Sequence, residues 1–280
     1  MSYECKILAD SISPVEARLT TFMVTFPRII LAEVNTHRML SRNSASSRAI
    51  PVEKQIKKVM EDPFVPIYWG RNQKGMQADR ELTGPELREA AHEWLLARDL
   101  AVKSTEAMLR LGVHKQITNR LLEPFMWHTA IITGTEWDNF FNLRTHKDAQ
   151  PEFQIIAKMM QAHYKENIPD EIGFGWHLPL TPDLAELEEH AAVNDLDIEI
   201  FCARISGARC GRVSYLTHEG KRDISADLEL ADRTQTGGHM SHFEHPAQAM
   251  PQCNKFYGNF KGFQQYRKLL PNEAVFRSTP

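Results

Sequence analysis

An apolar run at residues 21–34, TFMVTFPRIILAEV, passes straight into a stretch at 33–48, EVNTHRMLSRNSASSR, that is crowded with charges and hydroxyls. The first belongs out of water and the second does not suit a core, so the fold must carry a buried element up to a polar surface at this junction. Residues 19–26 read as a strand, and Pro27 suits the first turn of a helix in which Ile29, Ile30, Ala32 and Val34 supply a buried stripe. Such a helix places His37 and Ser41 one turn apart at its end, and Arg38 and Arg42 likewise. The small residues Ser44, Ala45, Ser46 and Ser47 then let the backbone approach a ligand closely. Arginines combined with serine hydroxyls and free amides make an anion site, most naturally for phosphate. A solvated basic loop is the competing reading of the same composition.

Composition bounds the rest. A chain of 280 residues is long enough for one large domain or two small ones, and 42% hydrophobic content supports a substantial core. Thirty-three basic against thirty-six acidic residues argue against bulk electrostatic binding to nucleic acid or membrane, so any anion site is local. The four cysteines, Cys5, Cys202, Cys210 and Cys253, form neither a CxxC pair nor a zinc-finger spacing, which fits reduced thiols. The amino terminus lacks a basic region followed by an apolar stretch, and no run approaches the length that spans a bilayer. A cytoplasmic protein is expected.

Along the chain, residues 3–9 read as a further strand and residues 52–62 as a helix. Residues 64–84 form a Gly- and Pro-broken loop that could serve as a flap. Gly84-Pro85 starts the longest helix, which ends near Gly112 and carries a core-facing stripe of Leu87, Ala91, Trp94, Leu95, Val102 and Leu109. HKQITNRLLEP is a short helix ended by Pro124, FMWHTAIITG is a strand, and Trp137, Phe140, Phe141 and Arg144 share one face of the helix beginning near Thr135. An arginine on an aromatic face is either snorkelling or specifically partnered. Residues 165–200 read as a connector with a solvated acidic helix, and the 253–280 tail is expected to add a strand and a helix.

HRMLSRNSASSR resembles the signature of the flavin-dependent thymidylate synthases, R-H-R-x-x-S-x-N-E-x-S-x-R-Y. His37, Arg38, Ser41, Asn43, Ser46 and Arg48 match it, whereas Thr36, Ser44 and Ala49 replace its first arginine, its glutamate and its tyrosine. A second block is similar to the family's G-V-P-x-x-x-A-R-x-x-L-P and N-L-R-x-x-x-x-A-Q-x-E-I segments. Arg120, Pro124, Leu143, Arg144, Ala149, Gln150 and Glu152 match there, and Asn139 falls where the family carries a histidine or asparagine. Thr133 and Thr135 stand where it tends to carry an asparagine and an arginine. A third block, CGRVSY (210–215) and GHMSHFEH (238–245), resembles the family's A-A-R-V-S-F and G-H-x-T-P-F-E-H, which in the family precede the arginine signature. Here they follow everything else, so the chain looks like a circularly permuted relative.

That resemblance implies a single α/β (α+β) domain over residues 1–280, with a central, mostly antiparallel sheet, flanking helices, and residues 165–200 joining the permuted halves. It implies transfer of a one-carbon unit from methylenetetrahydrofolate to C5 of a pyrimidine deoxynucleotide, dUMP to dTMP foremost, with FAD as cofactor, NADPH as electron source and a homotetrameric assembly. Ser46, Arg48 and Arg120 would then hold the nucleotide phosphate, with Glu33 and Ser44 also in the nucleotide-contacting part of the signature. Arg144 would sit against the pyrimidine carbonyls, stabilising charge as C5 becomes nucleophilic. His37, Arg38, Asn139, Leu143, Ser214, Ser241 and Glu244 would line the flavin. His239 would orient folate or flavin and assist proton transfer. Because Glu33 replaces a glutamine and Ser44 a glutamate, hydroxymethylation of dUMP or modification of dCMP is the alternative within the class.

Two readings of other kinds compete. His239, His242 and His245, spaced by three, invite a metal site, but Pro246 follows at once and the preceding glycines indicate a loop rather than a ligand helix. A nucleic-acid module built on Arg38, Arg42 and Arg48 sits poorly with net acidity. No metal and no nucleic-acid partner is therefore expected.

Overall fold

The computed structural model describes residues 2–181, 184–193, 197–213, 223–271 and 273–274. In chain order its elements are β1 (Glu4–Ile12), β2 (Arg18–Pro27), α1 (Leu31–Val34), β3 (Ser41–Ser44), α2 (Val52–Glu61), α3 (Gly84–Arg110) and α4 (Lys115–Thr118). Then come β4 (Trp127–Gly134), α5 (Asp138–Arg144), α6 (Pro151–Glu166), β5 (Asp170–Glu171), β6 (Trp176–His177), α7 (Leu184–Val193), α8 (Ile198–Arg212) and α9 (Ile224–Thr236). The chain closes with β7 (Ala247–Ala249), β8 (Phe256–Tyr257), β9 (Phe260–Lys261) and β10 (Phe263–Gln265).

The first sheet runs β3–β4–β2–β1–β5 and is antiparallel apart from the short β1–β5 pairing. Alternation along β2 decides its faces. Phe22, Val24 and Phe26 point into the main core, where Trp137 and Phe140 near and on α5 and Phe153, Ile156 and Met160 of α6 meet them. The opposite face packs Ile131 against Cys210 and Val213 at the end of α8. The expected fold class is therefore present: a mostly antiparallel sheet with helices against both faces. A second sheet, β6–β7–β10–β8–β9, is built from the later part of the chain.

Four expectations need correcting. No helix runs from Pro27 to the signature: Pro27 ends β2, a 3-10 turn covers Arg28–Ile30, and α1 is one turn long. Ile30 and Val34 are buried, but Ala32 is exposed. The residues expected at the helix end instead form β3, with Ser41 paired to Thr133 and Ser44 to Ala130, so a non-local ladder overrides the local helical spacing. In the long helix α3, only Val102 of the expected stripe is buried, because the helix lies at the surface and the others are half-covered. The tail adds β8, β9, β10 and a 3-10 turn, but no α-helix among its described residues. The 165–200 segment also carries structure of its own, since β6 joins the second sheet and α7 buries Leu187 and Ala191 while Glu186, Glu188 and Glu189 stay exposed.

The two sheets are tied by a buried polar chain. Ser11 Oγ meets His177 Nδ1 at 2.8 Å, His177 Nε2 meets Thr21 Oγ1 at 2.7 Å, Thr21 meets Thr133 Oγ1 at 2.8 Å, and Thr133 meets His245 Nδ1 at 2.8 Å. Thr21 and Thr133 are cross-strand partners on the sheet face opposite the aromatic core. Burial lowers both imidazoles to about 3, so each is neutral in the fold.

An unfolded chain would bind protons on these histidines near the ordinary value of 6.5 while the folded one refuses them. Stability should therefore fall as pH drops from about 6.5 towards about 3. Thr133→Val, which leaves His245 Nδ1 without its partner, is expected to cost about 1–3 kcal/mol in denaturant unfolding at neutral pH. A variant as stable as the parent would show that the chain contributes nothing.

Candidate active site

The site is built where β3, the end of α5 and the turn at 241–244 converge. Arg144, last residue of α5, donates from Nε to His37 Nε2 at 2.8 Å and from Nη2 to Thr36 Oγ1 at 3.2 Å, and its guanidinium lies 4.6 Å from the Phe153 ring centre. Arginine has no acceptor, so His37 must accept, and its proton sits on Nδ1. Burial first, then the charges of Arg144 and Arg42, lowers His37 to about 4. Its ring stands edge-on to Phe140 at 4.9 Å. A neutral imidazole is thus wedged between an aromatic wall and two guanidinium groups. Arg42 donates to the His37 carbonyl, and burial pulls its own pKa down while Glu244 opposes that.

The turn at 241–244 reaches β3 directly. Ser241 Oγ lies 3.4 Å from Asn43 Oδ1, and Asn43 Nδ2 donates to the Cys210 carbonyl at 2.8 Å. Close packing with α8 holds the turn: a Cβ added at Gly207 would lie 2.5 Å from a ring carbon of Phe243, so only glycine fits without displacement. Glu244 accepts from Arg267 Nη1 at 2.6 Å. Sequence reasoning assigned no role to the tail, yet it braces the signature. Asn259 Nδ2 and Gln265 Nε2 donate to Ser41 Oγ at 3.0 and 2.9 Å, and the Lys261 amide donates to Thr135 Oγ1 at 3.0 Å. No local pattern in the tail announces these partners, since each lies more than a hundred residues away.

The remaining expected residues fall into three groups. Arg38, Asn139, Leu143, Ser241 and His239 are exposed, the last following Gly238 at positive φ. Ser46 is half-buried and Arg48 exposed on the turn after β3; Arg120 donates to Glu123 at 2.8 Å, and Glu123 also accepts from Ser47 Oγ at 2.6 Å and pairs with Arg28 at 2.9 Å. Ser44 is half-buried on β3, and Glu33 on α1 is half-buried with Oε2 shielded and lacking a hydrogen-bond partner. Ser214 lies outside the described residues.

Among the described residues, no group of three or more His, Cys, Asp or Glu could hold a metal ion. The three clustered histidines are divided instead, His239 exposed and His242 and His245 buried. Cysteine nucleophilicity is suppressed at three positions: burial pushes Cys5 up to about 12 and raises Cys202 and Cys210 as well. No described helix is long and apolar enough to cross a membrane. Removing Arg144 takes away one of the two charges that depress His37. In Arg144→Ala the His37 titration followed by NMR should move up from about 4 towards 6.5. An unmoved titration would exclude the contact.

Two crystal structures of the UMP/dUMP methylase PolB from Streptomyces cacaoi, one bound with 5-Br UMP and one with 5-Br dUMP, are similar in fold at 16% identity. Each match covers 59% of this chain, with 89% and 90% of the other chain and TM-scores of 0.49 and 0.50 respectively. No curated protein matches the sequence. The model of the thymidylate synthase complementing proteins, Thy1, matches residues 7–170, which run from within β1 to the start of β5 and include β3, α5, Arg42 and Arg144. With more than half of its length matched, the chain belongs to this family, that of the flavin-dependent thymidylate synthases.

Proposed function

We propose that the chain is a nucleotide methyltransferase that moves a one-carbon unit from methylenetetrahydrofolate to C5 of a pyrimidine deoxynucleotide, dUMP foremost, using FAD and NADPH. The observation that carries this reading is Arg144, a cation fixed by His37, Thr36 and the Phe153 face inside the family-matched region. A guanidinium held in advance stabilises the negative charge that grows on the pyrimidine carbonyls when C5 attacks, and it does so without reorganising. His37 keeps that guanidinium oriented by remaining neutral. Ser46, Arg48 and Arg120 offer hydroxyl and guanidinium donors for the nucleotide phosphate.

The donor set also fits a phosphate-bearing flavin. Arg38 is exposed, Arg42 is half-buried, and Ser241 and Glu244 border the same strand edge, with His239 exposed before that turn and Asn139 and Leu143 exposed on α5. Thr133 and Thr135 are already engaged by His245 and Lys261, so they add nothing to its distal part. When bound, FAD would supply the redox chemistry that makes a cysteine nucleophile unnecessary. In this reading residues 202–248 take the place of the family's amino-terminal part, supported by the Ser241–Asn43 and Asn43–Cys210 contacts. A homotetramer, with sites shared between chains, would cover the exposed arginines.

The unpartnered Oε2 of Glu33 favours a second substrate. A carboxylate accepts well from an exocyclic amine, so modification of dCMP, or hydroxymethyl transfer, is the competing outcome. Purified protein should gain flavin absorption on titration with FAD. Mass spectrometry after incubation with folate, NADPH and either dUMP or dCMP should then identify the base and the group transferred. A protein that takes up no FAD and alters neither nucleotide would defeat the proposal. Arg48→Ala should mainly raise KM, and Arg144→Ala should mainly lower kcat. Each should cost about 1.5–3 kcal/mol, roughly 10- to 150-fold. Unchanged kcat in Arg144→Ala at saturating nucleotide would remove it from the chemistry.

A further inference from the structure

A cavity of about 190 Å³ lies between α2 and β4, bordered by Ala45 just after β3. Its walls include Ile50, Val59 and Met126, and its uncharged polar members are Gln55, Trp127, His128 and Thr129. Three polar atoms of these residues have no hydrogen-bond partner although they are shielded from water: Gln55 Oε1, Trp127 Nε1 and His128 Nε2. Gln55 and His128 are each only 2% exposed. Orphaned buried polar groups are costly, and three in residues around one cavity call for an occupant.

The donor and acceptor pattern follows from covalent chemistry. Arg28 Nη1 lies 2.9 Å from His128 Nδ1 and can only donate, so Nδ1 accepts and the imidazole proton sits on Nε2. Burial, and then the charge of Arg28, lowers His128 to about 3, which keeps that ring neutral and Nε2 a donor. The indole nitrogen of Trp127 is a donor only. The three orphaned groups of the cavity's residues are therefore two N–H donors and one amide acceptor. A cyclic imide, C=O, N–H, C=O along one edge, presents the complementary two acceptors and one donor. The volume is little more than the roughly 150 Å³ of an apolar cavity that takes up benzene, so one ring fits and a three-ring flavin does not.

We propose that this cavity is a binding site for a single planar cyclic imide ring, of the pyrimidine-2,4-dione type, separate from the nucleotide site at Arg144. Its walls come from α2, the turn after β3 and the start of β4, none of which carries His37 or Arg144. Its charged residues are Lys58, the half-buried Asp62 and the exposed Glu61.

Isothermal titration calorimetry with free uracil tests this directly. Uracil should bind the parent protein and the Arg144→Ala variant equally. Gln55→Leu, which removes the acceptor for the ring N–H, should weaken it about tenfold or more, one lost hydrogen bond of about 1.4 kcal/mol. Uracil methylated at both nitrogens should bind the parent as weakly as uracil binds Gln55→Leu. Val59→Trp, which fills the cavity, should abolish binding, and circular dichroism melting identifies any variant that fails to fold; Gln55→Leu and the methylated ligand decide the matter without it. No uracil binding by the parent overturns the proposal, as does binding lost in Arg144→Ala and retained in Gln55→Leu. Nucleotide turnover by Gln55→Leu should match the parent, so failure here leaves the catalytic reading standing.

Discussion

The placement of the later chain depends on one dry polar chain, Ser11–His177–Thr21–Thr133–His245, between the two sheets. Hydroxyls and imidazoles removed from water must find partners in that space or forfeit the folding free energy of the layer. Thr21 and Thr133 face the second sheet because β2 and β4 have already turned Phe22, Val24, Phe26 and Ile132 the other way. His177 on β6 and His245 after the 241–244 turn can then satisfy them in one register only. The neutrality of both rings belongs to the same constraint, since a charged imidazole there would sit beside another without a carboxylate in hydrogen-bond contact.

Fixing His245 fixes the turn before it, and with it the electrostatics of the candidate site. Ser241 and Glu244 are delivered to the edge of β3, where Glu244 lies near Arg42 and pairs with Arg267 of the tail. Arg42 and Arg144 approach His37 from two sides, and burial first, then their charges, keep the histidine between them unprotonated. An unprotonated His37 is the acceptor that fixes Arg144. The preorganisation thus comes from charge repulsion and packing together rather than from a carboxylate partner, which would have neutralised the arginine it was holding.

Much of the first sheet was legible in the sequence. β1, β2 and β4 carry alternation or dense β-branched and aromatic residues over lengths typical of strands, and their ranges agree closely with the reading. β3 was not legible: SRNS has no apolar period, and it is a strand only because β4 offers Thr133 to Ala130 as a ladder. Ile30 and Val34 truly lie one helical turn apart, so the local pattern was correct for α1 and misleading beyond it. Arg144 on an aromatic face was visible from spacing, but its acceptor was not, because His37 lies 107 residues earlier. The buried histidine chain and the tail's hold on Ser41 are likewise products of tertiary contact, beyond the reach of any window read along the sequence.

The polar residues of the signature divide by what they already hold. Ser41, Asn43, Ser47, Thr133 and Thr135 have internal partners and stiffen the strand edge. Arg38, Arg48 and His239 face water. In the proposed function, recognition of a ligand would fall to the second set, while the first would keep the second from drifting. Arginines open to water give weak, screened attraction to a phosphate, and the same groups act far more strongly once water is excluded. The proposed chemistry therefore asks for a cover over this edge, and one chain leaves it exposed. A neighbouring subunit laid across it would lower the local dielectric around Arg144 at the same moment that it enclosed the nucleotide, so assembly and charge stabilisation would act as one effect rather than two.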